Sequence, residues 1–181
     1  MNGNILITGK PGTGKSTLAL WLIERLGQPW AGYQTVKAED TPAGPLYVMK
    51  QVPGGACAPI SRQAAGGIRG IPETFEVLGT QWVQAAVDGP CPVIVLDEIG
   101  RFEGQCEGFL TAIHGALDSP KLVIAVLKKE EHPHLRQLRE REDSFLFDLD
   151  ELSRLDARER LLSLLRAETG WGGSPVQAGP F

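Results

Sequence analysis

Long apolar runs are missing from this chain: none approaches the roughly 20 residues that a membrane-spanning helix needs. No membrane span is therefore expected. A leader peptide is not expected either, because a first apolar strand begins only a few residues after Met1. Cysteine is scarce, with three residues (Cys57, Cys91 and Cys106) set far apart. Their odd number and spacing suit free thiols in a reducing cytosol. An excess of basic charge is also lacking. The formal net charge of −4 gives no reason to expect nucleic acid or an anionic membrane as the main partner. Metal-ligand clusters are absent too. His132-Pro133-His134 has no third His, nearby Cys or Asp cluster to complete a site, so a surface loop is expected there. No internal repeat and no second domain are evident. What remains is ordinary for a globular enzyme: 181 residues, 42% apolar and 22% charged, enough for one domain with a full core.

Against that plain background one segment is specific. Gly9-Lys10-Pro11-Gly12-Thr13-Gly14-Lys15-Ser16-Thr17 meets the pattern G-x-x-x-x-G-K-[ST] of a phosphate-binding loop. It also lies between the right neighbours. Asn4 to Thr8 reads as a buried strand, and Ser16 to Leu26 as a helix with Leu18, Leu22 and Leu26 on one face. A polyphosphate needs inward-turned backbone N–H groups, which glycines allow without a Cβ clash, and a helix N-terminus aimed at its charge. In such a loop Lys15 offers an ammonium to the β/γ-phosphates and Ser16 a hydroxyl to Mg²⁺. The loop predicts a binder of nucleoside triphosphates.

A second stretch runs from Pro92 to Gly100. Val93-Ile94-Val95-Leu96 followed by Asp97 and Glu98 is what a central parallel strand covered on both faces looks like. Ligands of open α/β sheets sit at such C-terminal strand ends. Asp97 is placed to hold Mg²⁺ opposite Ser16. Glu98 is placed to polarise a water for attack on the γ-phosphate, as general bases do.

The remainder reads as alternating strands and helices. Gly32 to Lys37 and Leu46 to Lys50 are strand candidates joined by a turn over 39–45, a hairpin added at the sheet edge. Residues 53–70, rich in Gly, Pro and Ala, read as a long surface loop. Helices are expected over 73–87, 105–117 and 131–141, and strands over 121–127 and 144–148. Asp150 is the expected cap of a final helix, and 170–181 is a Gly/Pro-rich tail beyond a domain of residues 1–169.

Together these residues resemble the small nucleoside-triphosphatases of the thermophile-phosphatase type, which include a human cancer-related member. The resemblance spans roughly Asn4 to Leu165. It rests on the Pro-containing loop Gly9 to Thr17, on the Gly-aromatic-x-Thr segment Gly32-Tyr33-Gln34-Thr35, and on the apolar strand entering Asp97-Glu98-Ile99-Gly100-Arg101-Phe102-Glu103. The resemblance implies an α/β three-layer P-loop fold of RecA-like type with a mainly parallel sheet. It also implies Mg²⁺-dependent hydrolysis of ATP, GTP, CTP and UTP with little base selectivity. Two departures stand out. The hairpin segment carries Lys37, Pro42, Gly44 and Pro45 with no Arg before Arg62, and Ser153-Arg154 replaces an Asn-Arg pair. They bear on hairpin contacts and base recognition, not on the catalytic core.

Arg62, Arg69 and Arg101 are candidates for a cation that neutralises transition-state charge. Arg101, closest to Glu98, is preferred, with an ion pair to Glu103 as its plain alternative. Lys10 reads as a solvated loop residue, although dimeric partition-type ATPases carry a lysine there. Trp21, Trp30 and Trp82 read as packing residues. A cytoplasmic monomer is expected, acting as a Mg²⁺-dependent nucleoside-triphosphatase with Lys15, Glu98 and Arg101 as catalytic candidates. A phosphotransferase acting on a small molecule or RNA end is one alternative, disfavoured by the Asp-Glu pair and by the lack of an Arg-rich lid. A nucleotide-dependent switch or assembly ATPase is the other. No Asn-Lys-x-Asp signature is present, so strict guanine specificity is not expected.

Overall fold

The computed structural model describes residues 3–169. The tail expected over 170–181 lies outside them. The chain runs β1 (Asn4–Thr8), α1 (Lys15–Leu26), β2 (Trp30–Thr41), β3 (Gly44–Val52), β4 (Cys57–Pro59), β5 (Ser61–Ala64) and β6 (Gly67–Gly70). It continues through α2 (Pro72–Thr74), a π-helical turn (Phe75–Gly79), α3 (Thr80–Asp88), β7 (Val93–Ile99), a 3₁₀ turn (Arg101–Gln105) and α4 (Glu107–Leu117). It ends with β8 (Leu122–Leu127), α5 (Pro133–Arg139), β9 (Ser144–Asp148) and α6 (Arg154–Thr169).

Seven strands form the central sheet in the order β4-β3-β2-β7-β8-β1-β9. The pairs β2–β7, β7–β8, β8–β1 and β1–β9 are parallel, and β2–β3 and β3–β4 antiparallel. The fold is thus α/β and mainly parallel with an added hairpin, as the sequence indicates. Period-two side-chain alternation explains why both faces are covered. Leu6, Ile94, Leu96, Val123, Ala125 and Leu127 enter one core, against Trp82, Phe109 and Ile113 of α3 and α4 and Leu135 and Leu138 of α5. Ile5, Ile7, Val93, Val95, Ile124 and Val126 enter the other, against Leu18 and Leu22 of α1 and Leu161 and Leu165 of α6. Each fully buried Leu or Ile contributes about 2 to 3 kcal/mol by the area it removes from water. The result is three layers with the C-terminal ends of β1, β7 and β8 side by side.

Four expectations need correction. The segment 53–70 is not a loop. It supplies β4, which pairs with the otherwise open edge of β3, and the β5–β6 ribbon. Strands of three or four residues without apolar alternation leave no periodic signal, and pairing alone sustains them. The hairpin turn shrinks to Pro42 and Ala43, because β2 and β3 pair out to Thr41 and Gly44. The final helix is capped by Ser153 rather than Asp150: Ser153 Oγ accepts the Asp156 N–H at 3.1 Å, and its hydroxyl donates to the Asp156 carboxylate at 2.7 Å. The fourth concerns His132-Pro133-His134, which is not a surface loop. Pro133 opens α5, and His134 is buried with Nε2 at 2.8 Å from the Gly100 carbonyl and Nδ1 at 2.7 Å from His132 Nδ1.

Candidate active site

β1 delivers the chain into the phosphate-binding loop, where Gly9, Gly12 and Gly14 all have positive φ (143°, 82° and 91°). Such conformations are open to glycine and costly for other residues. Helix α1 then begins at Lys15, so the N–H groups of its first turn have no acceptor within the helix and face the loop. The buried Lys15 ammonium donates to the carbonyls of Gly9 (3.0 Å) and Lys10 (3.1 Å), a closed arrangement made within six residues. Thr13 Oγ1 also donates to the Lys10 carbonyl at 2.9 Å. The Lys10 side chain is exposed, and its N–H donates to Asp150 Oδ1 at 3.0 Å. Asp150 therefore secures the loop instead of capping a helix. Pro11, Gly12, Ser16 and Thr17 are exposed.

β7 brings the two acids to the same place. Ser16 Oγ donates to Asp97 Oδ1 at 3.0 Å, so the two sequence-predicted metal ligands meet. Burial pushes the Asp97 carboxyl up to about 6. The Ser16 hydrogen bond opposes the rise, the Glu98 charge adds to it, and Lys15 opposes it. Glu98 Oε2 stands 3.6 Å from Lys15 Nζ, and its other oxygen, Oε1, is 3.6 Å from Lys128 Nζ. Its backbone N–H donates to Thr35 Oγ1 at 3.2 Å. That contact explains the Gly-aromatic-x-Thr segment. A Cβ on Gly32 would overlap the Val95 carbonyl, so glycine lets β2 close on β7. Tyr33 then fills the core, and Thr35 reaches Glu98.

A cleft of about 490 Å³ opens over the loop. One wall is Gly9, Pro11, Gly12 and the residues from Gly14 to Thr17, and the other is Tyr47, Glu98, Lys128, Lys129 and Glu130. Arg101 is not part of that lining. Its guanidinium lies 3.4 Å from Glu130 and 5.3 Å from the Phe102 ring centroid, and the side chain is largely exposed. The ion pair weighed for it with Glu103 does not form. Glu103 is buried and accepts the Gly100 N–H at 3.1 Å instead. Sequence reasoning missed Thr35 as a backbone anchor, Tyr47, Lys128 and Lys129 as cleft walls, and Asp150 as the loop tether. Position alone could have marked Lys128 and Lys129, since both follow directly on the C-terminal end of a buried parallel strand.

The donor set suits Mg²⁺. Two hard oxygen groups, one hydroxyl and one carboxylate, stand together at the loop. Among the described residues no group of three or more His, Cys, Asp or Glu forms a protein-only metal cage. Mg²⁺ typically takes one or two protein oxygens and completes its shell with water and phosphate oxygens.

A family model described as NTPase matches residues 4–162 of this chain. The chain belongs to the NTPase family. Among relatives of this NTPase-family chain, nucleoside-triphosphatase THEP1 of Thermotoga maritima is 29% identical over 171 residues, covering 92% of this chain and 97% of the relative. The protein of the same name from Methanosarcina barkeri is 34% identical over 148 residues, 76% of this chain and 83% of the relative. The mouse cancer-related nucleoside-triphosphatase homolog is 27% identical, with 82% and 89% covered. The crystal structure of Aquifex aeolicus THEP1 superposes with a TM-score of 0.72 at 26% identity, covering 90% of this chain and 98% of that one. The solution structure of a human cancer-related nucleoside triphosphatase gives 0.70 at 23% identity, which speaks to the fold. The NTPase-family core is thus a P-loop fold, its loop joining β1 to α1.

Proposed function

We propose that this chain hydrolyses the γ-phosphate of nucleoside triphosphates, with Mg²⁺ and without strong selection among ATP, GTP, CTP and UTP. The observation that carries the reading is Glu98: a carboxylate on the cleft wall facing the phosphate loop, 3.6 Å from the loop lysine. Hydrolysis needs a group to orient and deprotonate water, and Glu98 supplies it; a carboxylate there would equally serve an acceptor hydroxyl, so the products decide between the two. The names of the relatives agree with hydrolysis and specify no base.

In this reading the loop amides and the α1 N-terminus cradle the phosphates. Lys15 exchanges its two carbonyl partners for β/γ-phosphate oxygens, and Glu98 holds the attacking water. Ser16 and Asp97 would hold Mg²⁺, which supplies charge neutralisation on the phosphate oxygens when bound. The Ser16–Asp97 hydrogen bond keeps both groups at that position beforehand.

The test is phosphate release from the four triphosphates with and without Mg²⁺, for wild type, Lys15→Ala and Glu98→Gln. Comparable release from several triphosphates is expected. Glu98→Gln should keep nucleotide binding and lose about 10²- to 10⁴-fold in turnover, the usual worth of general-base catalysis. Tight binding without release, or phosphate appearing on an acceptor, would replace hydrolysis by the switch or phosphotransferase reading.

A further inference from the structure

Phosphoryl transfer gathers negative charge on the transferring group, and a cation placed there is worth about 10³ to 10⁵ in rate where its effect has been measured. The charged side chains at the mouth of the cleft can be sorted by what already holds them. Lys129 is drawn away by two carboxylates, Asp148 at 2.7 Å and Asp150 at 3.0 Å. Arg101 is turned toward Glu130 and lies outside the cleft lining. Lys15 belongs to the loop itself. Lys128 differs from all three.

Lys128 follows directly on β8, and its backbone N–H donates to the Ile99 carbonyl at 2.8 Å, so its root is fixed beside β7. Its stem lies against Gly100: a Cβ there would come within 2.8 Å of Lys128 Cδ, so a side chain at that position would displace the stem. The ammonium rests 5.8 Å from the ring centroids of both Tyr47 and Phe102, an arrangement that favours a cation over each ring. Its acidic partner is Glu98 Oε1 at 3.6 Å, the oxygen opposite the one that faces Lys15. The side chain is 36% exposed, so a ligand can reach it.

We infer that Lys128 is the cation that neutralises the transferring γ-phosphoryl group, in place of Arg101. The inference rests on the hydrolase reading above. In the step, a water oxygen bonds to the γ-phosphorus as the bond from that phosphorus to the β,γ-bridging oxygen breaks. The bonding pair leaves with the diphosphate, and the water proton passes to Glu98. Lys128 keeps its own proton throughout. As Glu98 takes up that proton it gives up its negative charge, which frees the Lys128 ammonium for the phosphoryl oxygens.

The experiment compares Lys128→Met, which keeps the stem length and removes the charge, with wild type, Lys128→Arg and Arg101→Met, each confirmed folded by its thermal melt. Turnover is read alongside affinity for a non-hydrolysable triphosphate. Retention of ADP with aluminium fluoride, a stand-in for the transferring phosphoryl group, is the third readout. Lys128→Met should lose about 10²- to 10³-fold in kcat, the scale of deleting one transition-state donor. Its triphosphate affinity should stay within about threefold, and it should no longer retain ADP–aluminium fluoride. Lys128→Arg should recover part of the rate, and Arg101→Met should lose at least about tenfold less than Lys128→Met. Wild-type turnover in Lys128→Met, or a loss of triphosphate affinity as large as the loss of turnover, overturns the assignment while leaving the hydrolase reading intact. Absence of phosphate release from every triphosphate by wild type removes both.

Discussion

Lys15 and Lys128 stand at the same distance, 3.6 Å, from the two oxygens of one carboxylate, yet they are held in opposite ways. Lys15 is buried and fixed by carbonyls five and six residues away along the chain. Its place is written into a nine-residue loop. Lys128 is part-exposed and fixed by Gly100, Phe102, Tyr47 and Glu98, which come from β3, from β7 and from the turn after it. Its place exists only once the sheet has formed. A ligand-gripping cation can thus be a local device or a tertiary one, and only the first announces itself as a motif.

The comparison breaks most plainly at Lys15. Replacing it by Ala should lower kcat/KM by roughly 10³-fold or more and weaken triphosphate binding measurably. A fluorescent-nucleotide titration showing unchanged affinity would mean that Lys15 is no clamp and that the two lysines play similar parts.

A smaller effect is expected on the Lys128 side alone. Burial pushes the Glu103 carboxyl up to about 7 from 4.5. Its backbone hydrogen bonds, the one from Gly100 included, and Lys128 act against the rise, and the Glu98 charge adds to it. A folded pKa above the unfolded one means that the neutral acid suits the fold. The stability it allows is complete below about pH 4.5 and is lost as pH rises toward 7. Glu103→Gln, which stays neutral, should therefore raise the melting temperature at pH 8, by up to about 3 kcal/mol of stability. The gain should shrink at pH 5, and triphosphate affinity at Lys15 should not move. An equal gain at both pH values would place the effect in packing instead of charge.

The smallest effect belongs to the ring beneath the ammonium. Tyr47→Leu removes one cation–π contact worth about 0.5 to 1 kcal/mol and should slow turnover only a few-fold. A loss exceeding that of Lys128→Met would show that Tyr47 meets the nucleotide directly.

What the sequence disclosed follows the same division. Strands β1, β7 and β8 are built on apolar runs (Ile5–Ile7, Val93–Leu96 and Leu122–Leu127) because both faces are covered, and that pattern reads directly. β4, β5 and β6 carry no such pattern, since their backbone pairs while their side chains stay largely at the surface. The π-helical turn at Phe75–Gly79 has no local marker either. At the helix α6 start two acceptable caps compete, and the spacing Ser153-x-x-Asp156 was the better sign. In the site, the loop and the Asp97–Glu98 pair were legible because their neighbours in sequence are their neighbours in space. Tyr47 and Lys128, which line the cleft, and Thr35 and Asp150, which hold Glu98 and the loop, were not, because each comes from a different strand or strand end.

One feature of the sheet bears on how the molecule is made. β1 lies between β8 and β9, pairing Ile5 with Ile124 and with Phe145. The loop that follows is fastened by residues of the same late region: the Leu149 N–H donates to the Thr8 carbonyl, Asp150 accepts the Lys10 N–H, and the Arg154 side chain packs on Gly14. Ribosomes deliver the N-terminus first, at about 5 to 20 residues per second. The phosphate loop therefore emerges ahead of its anchors, and 140 residues separate Lys10 from the Asp150 that holds it. The loop is synthesised before the residues that fasten it and is finished only after them.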